Sequence, residues 1–304
     1  MDKDVFFYSN SFKLTGKISM PESKPKNTGF PVVILSHGYG ASKEEFGDFL
    51  ILSGLLNDMG VAVLRFDFRG CGNSDYQLGR MLCSSEWKQD LENAVSFISD
   101  FPGVDAEKIC LIGESMGASI AILAAAEDMR VKCVIALSPI ADGFVWLRDN
   151  WIKNKSSKGF EILLKEIEKD RQREAVYGQS NLLRMSDALA YEQKYLDIIE
   201  ELRKNFNDRE FTYYVQYASI ASILTMRPLE VIKRISPRPL MLMAGKNDGI
   251  VPWEKNASKL YKIAGEIKKL VVYDEGDHGL MAEPTRTETF KEISEWISKY
   301  LIAS

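Results

Sequence analysis

Residues 113–117 read Gly-Glu-Ser-Met-Gly and join an apolar run that begins at Ile109 to small, helix-forming residues that extend through Ala126. This order of strand, sharp turn and helix is what a nucleophilic serine requires, because the turn exposes the hydroxyl at the edge of a sheet. The positive N-terminus of the following helix would face the developing oxyanion. The pattern therefore predicts that Ser115 is a nucleophile in acyl transfer, the alternative being an ordinary tight turn.

A serine hydroxyl needs a general base within hydrogen-bonding distance, and the chain has only two histidines. His278 follows the last predicted strand, where a loop would rise to the catalytic edge of the sheet. Asp248 lies between serine and histidine in the chain and follows the penultimate predicted strand, as the orienting acid should. We predict His278 as the base and Asp248 as the acid. Asp277 and Asp274 are rival acids, but Asp277 adjoins the histidine, and neighbouring side chains seldom meet in the required geometry.

The second histidine, His37, ends another buried apolar run and is followed by Gly-Tyr-Gly. A loop in this position places backbone N–H groups opposite the serine turn, as the second half of an oxyanion hole requires. We predict that the backbone N–H groups of Tyr39 and Met116 bind the oxyanion, each contributing about 3 kcal/mol of transition-state stabilisation. His37 itself is interpreted as a structural hydrogen-bonding residue.

Strand-like runs alternate with amphipathic helical patterns on both sides of these motifs, which predicts an α/β fold with a mostly parallel sheet covered on both faces. The alternation stops at residues 141–228, which are polar, helical and rich in aromatic residues. We predict a helical cap there, inserted into a core formed by residues 1–140 and 229–304. Insertions at strand ends commonly carry specificity.

Two tryptophans at the start of the cap, Trp146 and Trp151, are predicted to contribute to the substrate pocket, while most other cap aromatics are interpreted as the core of the cap. The lysine run at residues 153–158 is interpreted as a solvated surface rather than an anion site. Asp142 and Asp149 are candidates for holding a substrate amine, but no feature of the sequence distinguishes them.

The composition excludes several classes of partner. The chain has 304 residues, of which 45% are hydrophobic and 27% charged, with a formal net charge of −4. It is long enough to bury a sizeable core. Because it has no excess of positive charge, neither nucleic acid nor an anionic membrane is expected as a partner. The four cysteines lack metal-ligand spacing, so no metal site is predicted. Without an apolar signal segment or a membrane-length run, a cytoplasmic location is expected.

At these residues the chain resembles the α/β-hydrolase superfamily, within it the group of serine esterases that includes feruloyl esterases, dienelactone-hydrolase-like enzymes and serine-aminopeptidase-like lipases. The resemblance extends from about residue 30 to the end of the chain, interrupted by the cap, and depends on residues 37–40, 67–74, 113–117, 248, 251–252 and 276–279. It implies an eight-stranded, mostly parallel sheet, no cofactor and an acyl-serine mechanism. Cys71 departs from many relatives, and the cap is longer than in compact feruloyl esterases.

These observations together predict a serine hydrolase that cleaves a small or medium carboxylic ester, a small-molecule substrate, with Ser115, Asp248 and His278 as its triad. A thioesterase or an aminopeptidase would use the same groups and stays open as an alternative. A non-catalytic ligand-binding protein of the same fold is disfavoured because all three triad positions are filled. The identity of the acyl and alcohol groups stays open, as does the oligomeric state, including a homodimer.

Overall fold

The computed structural model describes residues 2–25, 29–75 and 82–303. Their strands are β1 (Asp2–Ser9), β2 (Phe12–Ser19), β3 (Phe30–Ser36), β4 (Ala62–Phe66), β5 (Val104–Glu114), β6 (Val131–Leu137), β7 (Leu182–Arg184), β8 (Tyr214–Gln216), β9 (Leu240–Gly245) and β10 (Lys268–Tyr273). Their α-helices are α1 (Asp48–Asp58), α2 (Ser84–Ser99), α3 (Met116–Ala125), α4 (Gly143–Asn154), α5 (Ser157–Tyr177), α6 (Met185–Leu189), α7 (Gln193–Asn205), α8 (Tyr217–Ile223), α9 (Pro228–Val231), α10 (Ala257–Ile263) and α11 (Arg286–Ile297).

Eight of the strands form one sheet, in the order β1-β2-β4-β3-β5-β6-β9-β10. Strand β2 pairs antiparallel with both β1 and β4, and every other pair in this sheet is parallel. The α/β-hydrolase fold and the mostly parallel eight-stranded sheet are therefore confirmed. The carboxyl ends of the parallel strands share one edge, where the loops after β3, β5, β9 and β10 meet.

The central strands are apolar on both faces because helices cover both sides of the sheet. Successive side chains of a strand point to opposite faces. Val32 and Ile34 of β3 thus pack in the cluster that includes α2 and α3. Val33 and Leu35 pack in the cluster that includes α1 and α11. The continuous apolar run of β3 is therefore explained by two separate apolar layers.

Between β6 and β9 the chain forms a helical insert, which contains α4 to α8 and the short antiparallel ribbon of β7 and β8. The ribbon was not expected from the sequence, because each of its strands is only three residues long and no alternation is readable over that length. Two hydroxyls of α8 tie the insert to the start of α2: Leu82 N–H donates to Ser219 and Ser84 N–H donates to Ser222.

Among the residues described, no helix is both long and apolar enough to cross a membrane.

Trp87 of α2 supports the loop that follows β3. Its indole stacks on Phe68 at 4.5 Å between ring centroids, lies edge-on to His37 at 5.3 Å, and donates to the Arg69 carbonyl. The side chain is only 1% exposed. We expect Trp87→Ala to lower the free energy of unfolding by about 3–5 kcal/mol, because it leaves a large cavity and an unsatisfied carbonyl.

Urea denaturation followed by circular dichroism would measure this loss. Tyr177→Ala is the matched control, since that aromatic side chain is 70% exposed and its removal should change stability by less than about 0.5 kcal/mol. A loss below about 1 kcal/mol for Trp87→Ala would contradict the supporting role of the indole.

Candidate active site

Ser115 occupies a strained turn between β5 and α3. Its backbone dihedrals are φ 54° and ψ −116°, a conformation that a non-glycine residue rarely adopts. Two glycines make the turn feasible: a Cβ on Gly113 would lie 2.4 Å from the Gly117 oxygen, and a Cβ on Gly117 would lie 2.1 Å from the Ser36 oxygen. The end of β3 is therefore packed directly against the turn that carries the serine.

The structure brings the three predicted triad side chains together. The Ser115 hydroxyl donates to His278 Nε2 at 2.9 Å, and His278 Nδ1–H donates to Asp248 Oδ2 at 2.8 Å. The other carboxylate oxygen of Asp248 accepts the backbone N–H groups of Ile250 and Val251, both at 2.8 Å. Asp248 is thus held by its own loop with one oxygen directed at the imidazole.

The electrostatics of this chain favour a charged Asp248 and a basic His278. Burial raises the pKa of Asp248, but the neighbouring His278 and the two backbone donors outweigh it and lower that pKa. Burial lowers the pKa of His278, but the Asp248 carboxylate, with smaller contributions from Glu114 and Asp277, raises it, so that the net shift is upward. A histidine with these partners accepts a proton from a serine hydroxyl more readily than an isolated buried histidine would.

The two rival acids are engaged elsewhere. Asp277 accepts hydrogen bonds from the Tyr195 hydroxyl and from Lys194 Nζ, both on α7 of the insert. Asp274 pairs with Lys246 Nζ at 2.9 Å. Asp277 consequently links the insert to the loop that carries His278, and Asp248 is the carboxylate that contacts the ring.

His37 lies buried beside the sharp turn that carries Ser115, here called the elbow, and both of its ring nitrogens are occupied. Phe68 N–H donates to Nε2 at 3.1 Å, and Nδ1–H donates to the Gly38 carbonyl at 2.9 Å. Burial lowers the pKa of His37 to about 4, so the ring is neutral at physiological pH. These contacts fit a residue that fixes the loop after β3.

Tyr39 and Met116 stay the predicted oxyanion donors, and the surrounding backbone bears on that prediction. Met116 is the first residue of α3, so its N–H has no acceptor within the helix. A Cβ on Gly38 would lie 3.7 Å from the Ser115 Cβ, which brings the loop of residues 37–40 against the serine. Neither Tyr39 nor Met116 donates its N–H to an acceptor among the described residues.

A cavity of about 430 Å³ lies beside Ser115 and His278. One wall is apolar and comes mainly from the insert, with Met185, Tyr191, Tyr195, Ile198, Ile199, Leu202 and Phe211, joined by Phe46 and Ile250. Acidic side chains also line the cavity, among them Glu45, Asp48 and Glu114. The 3.6-residue spacing of apolar side chains on α7 was visible in the sequence, but it does not indicate which apolar faces line a cavity.

These acidic side chains were not predicted to belong to the site, because glutamates within a motif or near the start of a helix are typically solvated. Burial raises the pKa of Glu45 to about 8 and, with the nearby Glu45 charge, raises that of Glu114 well above its usual value. Glu114 is 6% exposed, and its Oε2 has no hydrogen-bond partner among the described residues. Asp48 is paired with Arg286.

The structure does not bring Trp146 and Trp151 to this cavity. The Trp146 indole donates to the Ile250 carbonyl and lines a separate cleft of about 310 Å³. The Trp151 indole donates to the Ala188 carbonyl and packs within the insert. Trp146 is buried and Trp151 half-buried, both on α4. The cavity wall comes instead from later parts of the insert, mainly α7.

Within residues 2–25, 29–75 and 82–303, no group of three or more histidine, cysteine, aspartate or glutamate side chains is arranged to hold a metal ion.

Because the chain has only two histidines, nuclear magnetic resonance can follow both rings separately. We expect His278 to titrate above its ordinary value of 6.5 and His37 near 4. In Asp248→Asn the opposing charge is lost while burial remains, so the pKa of His278 should fall below 6.5.

Asp274→Asn is the matched control, because that carboxylate pairs with Lys246 and should leave both pKa values unchanged. If the pKa of His278 stays unchanged in Asp248→Asn, the electrostatic coupling described above is wrong.

Comparison with known proteins places the chain in a family. The model of the serine aminopeptidase S33 family (Hydrolase_4) matches residues 30–285. Polyketide transferase ATR5 of Stachybotrys chlorohalonatus is 28% identical, over 84% of this chain and 83% of that protein. Thiohydrolase aneE of Aspergillus aculeatus is 23% identical, over 91% of this chain and 86% of that protein.

Two solved structures share the fold. The α/β hydrolase GrgF from Penicillium superposes with a TM-score of 0.83 at 19% identity, covering 99% of both chains. Ferulic acid-bound Est1E from Butyrivibrio proteoclasticus superposes with a TM-score of 0.67 at 20% identity, covering 99% of this chain and 100% of that chain. The family match and the eight-stranded sheet agree: the chain belongs to the serine aminopeptidase S33 (Hydrolase_4) family of α/β hydrolases.

Proposed function

We propose that this protein is a serine hydrolase that cleaves carboxylic esters through an acyl-enzyme on Ser115. The observation that carries the proposal is the continuous hydrogen-bonded chain from the Ser115 hydroxyl through His278 to Asp248. Ser115 and His278 line the cavity described above, one wall of which is apolar. A nucleophile 2.9 Å from its base, and a base 2.8 Å from its orienting acid, have the geometry of nucleophilic acyl transfer.

The proposed reaction has two halves. Ser115 Oγ attacks the ester carbonyl carbon while His278 Nε2 takes the hydroxyl proton, and the resulting oxyanion accepts the N–H groups of Tyr39 and Met116. When the carbon–oxygen bond to the alcohol breaks, His278 returns its proton to the leaving alkoxide. Water then attacks the acyl-serine with His278 as base, and the carboxylic acid leaves as the Ser115 hydroxyl is restored.

The helical insert supplies the proposed substrate-binding wall. The α7 side chains Tyr195, Ile198 and Leu202 line the cavity, so an apolar acyl or alcohol group would be buried against them. The Tyr195 hydroxyl accepts the Gly249 N–H and donates to Asp277. The same residue therefore contacts the substrate cavity and the loops that carry Asp248 and His278.

Ser115→Ala should lower the rate of p-nitrophenyl acetate hydrolysis by at least about 10³-fold, because among the described residues no other hydroxyl is hydrogen-bonded to the His278 ring. Steady-state kinetics with active-site titration by a fluorophosphonate would measure this. The matched control is Ser96→Ala on α2, whose hydroxyl bonds to the Glu92 carbonyl and does not line the cavity. Parent-level hydrolysis by Ser115→Ala would exclude the proposed mechanism.

A thioester is the second candidate substrate, favoured by the similarity over most of the chain to a thiohydrolase and a polyketide transferase. The same triad would attack a thioester carbonyl and expel a thiol. The two substrates are separated by one acyl group presented as an N-acetylcysteamine thioester and as the matching oxygen ester. We expect a higher Ser115-dependent kcat/KM for the oxygen ester, and the reverse order would make thioester cleavage the better assignment.

A further inference from the structure

One hydrogen bond at the cavity has no part in the triad. The N–H of Gly38 donates to Glu45 Oε2 at 2.6 Å. Gly38 immediately precedes Tyr39, and the peptide group whose N–H belongs to Tyr39 begins at the Gly38 carbonyl carbon. The orientation of this short loop therefore depends on what holds each end of Gly38.

The other end of Gly38 is also held. Its carbonyl accepts Nδ1–H of His37 at 2.9 Å and the N–H of Ala41 at 3.2 Å. His37 is in turn fixed by the Phe68 N–H. The Gly38 carbonyl is thus held by His37 and Ala41, and the Gly38 N–H is held by Glu45.

The backbone that presents Glu45 is unusual. Glu45 and Phe46 both adopt left-handed conformations, with φ of 42° and 54°, and Gly47 follows with φ of 103°. Two consecutive non-glycine residues in this region are strained. The turn directs the Glu45 carboxyl inward, where it is buried and its Oε1 lies 3.2 Å from the position of a Cβ on Gly38. A strained backbone and a buried carboxyl are both unfavourable, so this arrangement demands a compensating role.

We propose that Glu45 is a positioning residue for the oxyanion hole: by accepting the Gly38 N–H, its carboxyl fixes the peptide group that precedes Gly38, and together with the anchored Gly38 carbonyl this keeps the Tyr39 N–H directed at the acyl oxygen on Ser115. This inference depends on the proposed function, because it concerns the same site. Glu45 acts through Gly38 and Tyr39, and it exchanges no proton with the substrate.

The neighbouring carboxyls are not equivalent to Glu45. Asp48 is paired with Arg286, and Glu114 makes no hydrogen bond to the loop of residues 37–40. Burial raises the pKa of Glu45 to about 8, with Asp48 adding to the shift, so the carboxyl is mostly neutral at pH 7. A glutamine side chain is neutral, has the same length and keeps a carbonyl oxygen, so it should accept the Gly38 N–H in place of Glu45.

Three substitutions at one position test the proposal. Glu45→Ala removes the acceptor, and Glu45→Asp withdraws the carboxyl by one methylene, so both should lower kcat for the ester by roughly 10- to 100-fold. The loss should fall on kcat with KM changed less than about threefold, since the oxyanion forms only in the transition state. Glu45→Gln should retain kcat within about threefold of the parent.

The control is Glu92→Gln on α2, which neutralises a carboxyl that pairs with Lys88, does not line the cavity and should leave kcat within about threefold. Thermal unfolding of every variant accompanies the kinetics. Should Glu45→Ala fail to fold, Glu45→Asp and Glu45→Gln decide the matter, because they differ in reach while remaining polar.

Two outcomes would overturn the proposal: Glu45→Asp with parent kcat, or Glu45→Gln with kcat as low as Glu45→Asp. A change confined to KM would also overturn it and would indicate direct substrate contact. The measurement is made beside Ser115→Ala. Loss of Ser115 dependence refutes the proposed function, whereas Ser115-dependent activity that is indifferent to Glu45 refutes only the positioning role.

Discussion

The close approach of the elbow to the end of β3 is the constraint on which the rest of the site depends. Gly117 lies so near the Ser36 carbonyl that a Cβ would be 2.1 Å from its oxygen. Because Ser36 is followed at once by His37 and Gly38, this contact brings the loop after β3 against Ser115. The strained serine and the facing loop are therefore two consequences of one packing arrangement between adjacent parallel strands.

The remaining groups reach this point through the topology of the sheet. The loops after β9 and β10 carry Asp248 and His278 to the same edge because parallel strands all end there. The insert is attached at this edge as well, through the hydrogen bonds of Tyr195 and Lys194 to Asp277. The insert therefore contacts the loop that carries His278 directly, in addition to its covalent connections to the core.

The buried carboxyls near Ser115 differ in how their charge is compensated. Around His278 the buried Asp248 carboxylate is compensated by two backbone donors and the imidazole. Glu45 and Glu114 form no ion pair among the described residues, and burial raises the pKa of both. Carboxyls in such surroundings exist largely as neutral acids near pH 7, where they act as hydrogen-bonding groups rather than as charges. Asp248 is therefore ionised, whereas Glu45 and Glu114 resist ionisation.

The fold class and the strand-to-loop placement of Ser115, Asp248 and His278 were predictable from the sequence. They depend on local patterns: apolar runs of strand length, glycines at sharp turns and the chain order of three side chains. The pocket assignment of Trp146 and Trp151 depended instead on nearness along the chain to β6. In the folded protein α7, a later helix, lines the cavity, and both indoles are satisfied by carbonyls elsewhere.

Glu45 and Glu114 show the same limit more sharply. In the sequence nothing distinguishes these two acidic residues from solvated ones. They are buried beside Ser115 because of the way β3, β5 and the strained turn before α1 pack together. Local periodicity and turn geometry were enough to predict the strands of the main sheet, the edge that carries the chemistry and the side chains competent for it, but not the β7–β8 ribbon. Which helix covers the site and which carboxyls are buried became visible only in the folded protein, because both depend on contacts between residues far apart in the chain.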